Sequence, residues 1–440
     1  MIVPQASLSK VSPLYPSTIT VVGGQAVPRG DRALFRPRIG AAYRLSDKFV
    51  IRGGYGMYSW ILGGYTGAVP DAETLLTSPL PFSIAESYSN VLVNGAPALS
   101  MPDPFPSTLA SAIVPGQAVG SYPNQSSNGA IHEFSVSIER QVGSTGLSIS
   151  YVGNRGRGIN YVVSTDIPRP STTPFTPSEK PFPQFSSTSV DMTDGASKYD
   201  GLTVQAKRTL RHFTFNVSYT YANSMANYLD LEDVYSIFHW NHDAYTARSR
   251  LVGEFVYDIP FGRGQRWGSG VPSVENAVLG GWHVNWITTS ASGQYFTPSY
   301  SGADPSNTNV FGGLPDRIAN GNLPRAKRSP SHYFDPTAFA VPQNGRFGNS
   351  GVDILEGPRL NDTDITLGKE FRVKEKVRIN FAAIATDAFN TPAYKFPYAN
   401  ISAPSTAGHL YAALGGMLAG GNATEKGAER AVMLRLRIEF

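Results

Sequence analysis

A chain of 440 residues with 44 Gly, 33 Pro, 22 Tyr, 23 Phe and only 16% charged residues leans towards β-structure. Its Gly and Pro stay below the roughly 25–30% that marks disorder. The formal net charge is +4, and Lys and Arg are dispersed rather than run together, so no nucleic-acid partner is expected. The absence of cysteine excludes disulfide frameworks, Cys-ligated zinc and thiol nucleophiles, and no run of about 18 apolar residues is available to cross a bilayer as a helix.

The first twenty residues, MIVPQASLSKVSPLYPSTIT, carry neither the basic leader nor the apolar segment of a signal peptide. Either the chain is not exported or its true beginning is missing. Period-2 alternation then predicts strands at 38–45 and 49–59, joined by the short turn Ser46-Asp47-Lys48. A long Pro/Gly/Ser-rich connection, 60–130, leads to strands at 131–142 and 147–155, which meet at a turn over Gly143–Gly146. After a second long connection, 156–198, come strands 199–210 and 213–222 with Arg211-His212 between them. In FTFNVSYTY the residues Phe213, Phe215, Val217, Tyr219 and Tyr221 take one face and Thr214, Asn216, Ser218 and Thr220 the other.

The connection 223–246 precedes strands 247–259 and 281–292, which a middling segment from Pro260 to Gly280 joins. Connection 293–360 precedes strands 361–372 and 376–388 around Val373-Lys374-Glu375. The last connection, 389–430, leads into AVMLRLRIEF, where Val432, Leu434, Leu436, Ile438 and Phe440 alternate with Met433, Arg435, Arg437 and Glu439. That makes eleven strands, many about 9–12 residues long, near the length a tilted strand needs to cross hydrocarbon.

Short turns alternate with long loops throughout, as they do at the periplasmic and extracellular ends of outer-membrane barrels. The expected fold is therefore all-β: an antiparallel transmembrane outer-membrane β-barrel in the cell outer membrane of Gram-negative type. Its lipid face would be apolar and its lumen face polar, the latter including Thr203, Gln205, Lys207, Asn216, Ser218, Glu254, Asn285, Arg378 and Asn380. Aromatic girdles are expected where strands end: Tyr55, Tyr58, Trp60, Tyr219, Tyr221, Trp282, Trp286, Tyr295, Phe296, Phe371 and Phe389. Eleven is an odd number, whereas single-chain bacterial barrels are even and lipid tolerates no open edge, so either a strand is missed or the chain is part of a barrel.

Chemistry-bearing motifs are weak. HWNHD, His239 to Asp243, offers two imidazoles and a carboxylate, but a solvated loop explains them better than a metal. GNRGRG (Gly153 to Gly158) and FGRGQRWG (Phe261 to Gly268) match no phosphate-loop pattern and are expected to be turns or rim loops. Their Arg155, Arg157, Arg263 and Arg266 are candidate partners for lipid phosphate or lipopolysaccharide. Asp191 with Asp194, or Asp362 with Asp364, are at most a nominal carboxylate pair. No nucleophile motif occurs, so no catalytic residue, cofactor or metal is assigned and the chain is not expected to be an enzyme.

The stretch FRPRIGAAYRLSDKFVIRGGYGMY resembles the barrel of Oar-like TonB-dependent receptors. The resemblance continues in order through EFSVSIERQV, ISYVGNRGRG, YDGLTVQAKRTLRHFTFNVSYTYANS, SRLVGEFVYDIPFGRGQRW, GGWHVNWITTSASGQYFTP, YFDPTAFAVP with GRFGNSG, and FAAIATDAFNTPAY. It implies that residues 35–440 are the C-terminal part of a barrel of 22 strands, about 11–12 of them here. Residues 1–34 would be an extracellular loop or N-terminal remnant, and the signal peptide, plug and TonB box would lie outside this sequence. The implied partners are membrane lipid and lipopolysaccharide, the TonB complex through that missing part, and an unknown large or scarce solute taken up with TonB-coupled energy. Phe440, with Ile438 and Leu436, resembles the terminal signal read by the outer-membrane barrel-assembly machinery. The rivals are a plugless porin-like channel, a surface structural or adhesion barrel, and, last, a secreted polysaccharide-active β-enzyme.

Overall fold

The computed structural model describes residues 2–10, 22–24, 35–60, 92–93, 96–97, 118–121, 129–183, 185, 187–229, 232–235, 239–374, 377–410 and 430–439. Most of residues 1–34, most of the connection 60–130, and Phe440 lie outside them. The strands of the main sheet are β1 (Arg38–Ser46), β2 (Phe49–Trp60), β3 (Gly129–Val142), β4 (Thr145–Ser164), β5 (Ser187–Thr209) and β6 (Phe213–Ala226). They continue as β7 (Ser249–Asp258), β8 (Trp282–Ala291), β9 (Leu360–Lys374), β10 (Val377–Thr386) and β11 (Ala431–Glu439). Each pairs antiparallel with its neighbours in sequence, from β1 at one edge to β11 at the other. Among the described residues β1 and β11 do not pair with each other, so the sheet is open.

The alternation read from single strands becomes a continuous surface once the registers are aligned. Tyr43 sits opposite Ile51, Ile51 opposite Ile138, Ile138 opposite Ile149, and Ile149 opposite Val204. The row runs on through Tyr219 and Leu251, then, a few rungs along, from Phe255 to Trp286, Ile365 and Ala385. Leu436 and Leu434 of β11, opposite Phe381 and Ala383, belong to the same face. Along its apolar band this face is not covered by protein: Val204 keeps 44% and Leu434 68% of its surface exposed. An uncovered apolar face eleven strands wide would be an aggregation surface in water and is the proper surface in lipid.

On β5 the apolar stretch Leu202, Val204, Ala206 is bracketed on the same face by Asp200 and Arg208, eight rises apart. At about 3.3 Å per residue and a tilt of about 40°, that spans roughly 20 Å of membrane normal, close to the apolar band of outer-membrane barrels. Asp200 is not left bare at the boundary, since Arg155 on β4 donates to it at 2.8 Å and the Tyr151 hydroxyl at 2.5 Å. Thr288 and Thr363, which face lipid from adjacent strands, satisfy each other at 2.8 Å.

Turn chemistry sets the registers. Val142 pairs with Thr145, leaving only Gly143 and Ser144 in the hairpin, and Gly143 takes φ +60°, which a residue with a Cβ adopts at a cost.

All eleven predicted strands form, but two are longer than alternation suggests. β4 and β5 stay paired to Ser164 and Ser189, well past the apolar band. GNRGRG is therefore strand rather than a turn or rim loop, and the long connection shrinks to 165–186. The polar, Gly-bearing sequence hides this extension because no apolar face is needed above the membrane. A register irregularity between Met192 and Ala196, with Gly195 packed against the Ile159 carbonyl, absorbs the change in surroundings.

Among the described residues, the cluster of buried apolar side chains lies outside the strands of the main sheet. Phe296, Phe334, Ala338, Phe339 and Leu355 form it, with Ile354, Phe396, Ala399 and Ile401 packed around them. All nine lie in the β8–β9 and β10–β11 connections.

Candidate functional site

The polar face of the sheet is a hydrogen-bonded wall. Ser148 on β4 reaches Gln205 on β5 at 3.4 Å, Gln205 donates to Asn216 on β6 at 2.8 Å, and Asn216 donates to Glu254 on β7 at 3.3 Å. A second cross-strand pair, Thr203 with Thr220 at 2.9 Å, lies two residues along from Gln205 on β5. On β2 and β3 Arg52 and Glu139 form an ion pair at 3.2 Å on the same face. The polar residues expected on this face, among them Lys207, Ser218, Asn285, Arg378 and Asn380, all fall on it by register. Such a wall offers hydrogen-bond donors and acceptors across four adjacent strands.

Above the wall, four connections are laced into one cap. From 165–186, Ser171 donates its backbone N–H to the Ser306 carbonyl and accepts from Asn307 Nδ2 at 2.7 Å. From the β6–β7 connection, Glu232 accepts the Leu314 N–H at 2.6 Å, and Tyr235 donates its hydroxyl to the Ile167 carbonyl. From the β10–β11 connection, Ile401 donates to Ser299 and Gly408 accepts from Tyr333.

Two stretches inside the cap explain their own sequence. In YFDPTAFAVP, Asp335 accepts the Thr337 N–H at 3.0 Å and so starts a short turn that drives Phe334, Ala338 and Phe339 into the core. In GRFGNSG, Phe347 is buried and Arg346 forms a two-pronged pair with Asp316. These aromatic residues at fixed spacing within a long loop were the available signal for a packed core, and strand periodicity does not register it.

In HWNHD, Asn241 and His242 pair with Ala226 and Met225 at the end of β6. The His242 ring stacks on Tyr295, with centroids 4.2 Å apart and an 8° tilt, and burial with the nearby Arg248 lowers its pKa. Asp243 is engaged by the Tyr245 N–H and the Thr246 hydroxyl, both at 2.9 Å. Beside it, burial and then the Asp243 charge push the Asp353 carboxyl up to about 6, against a stabilising hydrogen bond from Thr297. Among the described residues no three His, Asp or Glu side chains are grouped to hold a metal ion. Of the carboxylate pairs, Asp194 accepts the Tyr161 hydroxyl at 2.7 Å and Asp364 accepts the Asp387 N–H at 3.1 Å, which are structural uses.

Several expected girdle aromatics fall elsewhere. Tyr58 is on the polar face beneath Arg38, whose guanidinium lies 4.4 Å from the ring centroid. Tyr295 stacks on His242 and Phe296 is in the cap core, so neither touches lipid. Trp286 lies midway along β8, stacked on Phe255 at 4.5 Å, where it fills the apolar face rather than a rim. Tyr55 and Tyr221 towards the cap, with Trp282 and Phe371 at the short-turn end, do take rim positions on the lipid face, whereas Tyr219, opposite Val204, lies within the apolar band. Ile438 and Leu436 are on that face opposite Ile379 and Phe381, and Phe440 lies outside the described residues.

No curated protein matches the sequence. Among solved structures, the FrpB iron transporter from Neisseria meningitidis aligns over 92% of this chain and 38% of its own, with 10% identity and a TM-score of 0.41. The siderophore receptor PiuA from Acinetobacter baumannii aligns over 91% and 35%, with 8% identity and a TM-score of 0.41. The outer membrane transporter YddB from Escherichia coli aligns over 92% and 40%, with 8% identity and a TM-score of 0.41. The chain thus spans well under half the length of each. The family model for the outer membrane beta barrel domain matches residues 5–417. With its lipid-ready face, polar wall and path of eleven sequential antiparallel strands, this chain belongs to the outer membrane beta barrel domain family and resides in the Gram-negative outer membrane.

Proposed function

We propose that the chain is the C-terminal part of the barrel of an Oar-like, TonB-dependent receptor, taking part in energy-coupled uptake of a large or scarce solute. The observation that carries this reading is the open eleven-strand sheet with a hydrogen-bonded polar ladder across four of its strands. An edge strand in hydrocarbon needs a partner, and the edges of β1 and β11, unpaired among the described residues, are consistent with further strands that complete a wider barrel. A barrel of 22 strands has a lumen wide enough to hold a plug, and the Ser148–Gln205–Asn216–Glu254 ladder is a suitable surface for one.

In this reading the cap forms part of the solute-binding entrance, while the plug and TonB box reside in upstream sequence. Phe440, Ile438 and Leu436 serve recognition by the barrel-assembly machinery rather than transport. Membrane lipid and lipopolysaccharide surround the apolar face.

The test uses the coding sequence upstream of Met1. Deleting an in-frame plug segment should abolish uptake while leaving the heat-modifiable gel mobility of the barrel intact. Steady conductance in planar bilayers by the 440-residue chain alone would overturn the reading in favour of a porin-like channel.

A further inference from the structure

The Pro260–Gly280 connection is the longest described at the short-turn end, and it does not hang free. It carries a helix, α1 (Ser273–Leu279), whose C-terminal carbonyls close over the lipid face of the sheet. Lys369 belongs to that face by register, opposite Trp282 on one side and Phe381 on the other. Its Nζ donates to the Val278 carbonyl at 2.8 Å and to the Gly280 carbonyl at 2.5 Å. The ammonium also lies 4.8 Å from the Trp282 ring centroid and 4.7 Å from that of Phe371, so the side chain is 3% exposed. Trp282 Nε1 donates to the same Val278 carbonyl at 2.9 Å. Two side chains of the lipid face, Lys369 and Trp282, therefore grip the end of α1 through three hydrogen bonds, where carbonyls without intrahelical partners attract a cation.

This grip fixes the direction of the helix faces. Ser273, Asn276 and Ala277 line a cavity of about 640 Å³ beneath the rim, together with Asp258 and His283. The side away from that cavity presents Val274 at 80% exposure, Val278 at 63% and Leu279 at 44%, with the exposed Glu275 among them. Nearby in sequence, Trp267 is half exposed beneath Arg266, and Arg263 is tied to the helix start through Ser273 at 2.8 Å. Exposed valines flanked by Trp and Arg, on a segment clamped to the lipid side of the barrel, match an interfacial anchor and not a periplasmic turn in free water.

We propose that α1 and the 261–268 turn lie in the headgroup layer of the periplasmic leaflet and bind phospholipid there. Val274, Val278 and Leu279 insert at the acyl boundary, and Arg263 and Arg266 meet phosphate. The site continues the apolar face, which ends at Leu367 on β9, through Trp282 and Phe371 onto the helix. The anchor fixes the depth of the β7–β8 hairpin in the bilayer independently of whatever the barrel carries.

The chain has no cysteine, so single-cysteine variants report cleanly. V274C, V278C and A277C, each labelled with an environment-sensitive fluorophore, are reconstituted as the full chain into vesicles of phosphatidylethanolamine and phosphatidylglycerol, with or without brominated acyl chains. Labels at 274 and 278 should be quenched more by brominated lipid than by aqueous iodide, with the order reversed at 277. Signal is taken only from samples that keep heat-modifiable mobility, and V274C carries the test should V278C fail to fold. Stronger iodide than bromolipid quenching at both 274 and 278 would overturn the proposal. A K369M variant releases the helix end, so iodide quenching at 278 should rise in it while mobility is retained. An unchanged profile there would refute the clamp.

Discussion

The wall and the cap of this protein solve opposite problems with the same kinds of residue. In the wall, Val204, Leu251 and Leu434 remain uncovered by protein because the surrounding medium is apolar. In the cap, Phe334 and Leu355 are each 1% exposed because the medium is water. Hydrophobic residues are thus distributed by solvent rather than by a universal interior, and stability in the two regions answers to different perturbations.

The largest separation between them should come from Phe334→Ala. Truncating a phenylalanine at the centre of the cap core should cost about 3–5 kcal/mol there. Limited proteolysis should cut the 293–360 connection while the barrel keeps its heat-modifiable mobility. If the barrel band is lost as well, wall and cap are one cooperative unit.

Next comes Val204→Arg on the lipid face, where a cation near mid-bilayer should cost about 2–4 kcal/mol. Denaturant titration in lipid vesicles reads the loss. Ser218→Arg, two strand positions from Asn216 on the polar face, should cost far less in the same assay.

A smaller effect follows from Asp353. Its folded pKa is raised, so its contribution to cap stability is fully present below the ordinary aspartate range and is lost as pH rises through about 6. Asp353→Asn should therefore stabilise the cap at pH 7.5, on the order of 1 kcal/mol after allowance for solvent screening. It should also flatten the proteolysis profile between about pH 4 and 6. A profile identical to that of the parent chain would show that Asp353 is not the titrating group. The smallest expected change is Thr220→Val, which removes one hydroxyl pair with Thr203 and should cost about 0.5–1.5 kcal/mol in the wall while leaving the cap untouched.

How much of this was readable in advance follows the same division. Each wall strand shows alternation because one face meets lipid and the other a polar interior, so FTFNVSYTY and VMLRLRIE disclose their structure without tertiary information. Where β4 and β5 leave the membrane, that asymmetry ends and the pattern fades, although pairing persists to Ser164 and Ser189. The cap was least legible, because its core joins Phe296, Phe334 and Phe396 across a hundred residues with no regular period. The same long-range logic moved Tyr58, Tyr295 and Phe296 away from the girdle. A ring at a strand end has no preference of its own between lipid, lumen and cap until its neighbours are placed.

The composition of the cap core carries a temporal implication. Phe396 and Ile401 come from the connection between the final two strands, whereas Phe334 and Leu355 are synthesised earlier. The earlier half of the core therefore keeps its aromatic surface uncovered until the segment that carries Phe396 and Ile401 has followed it.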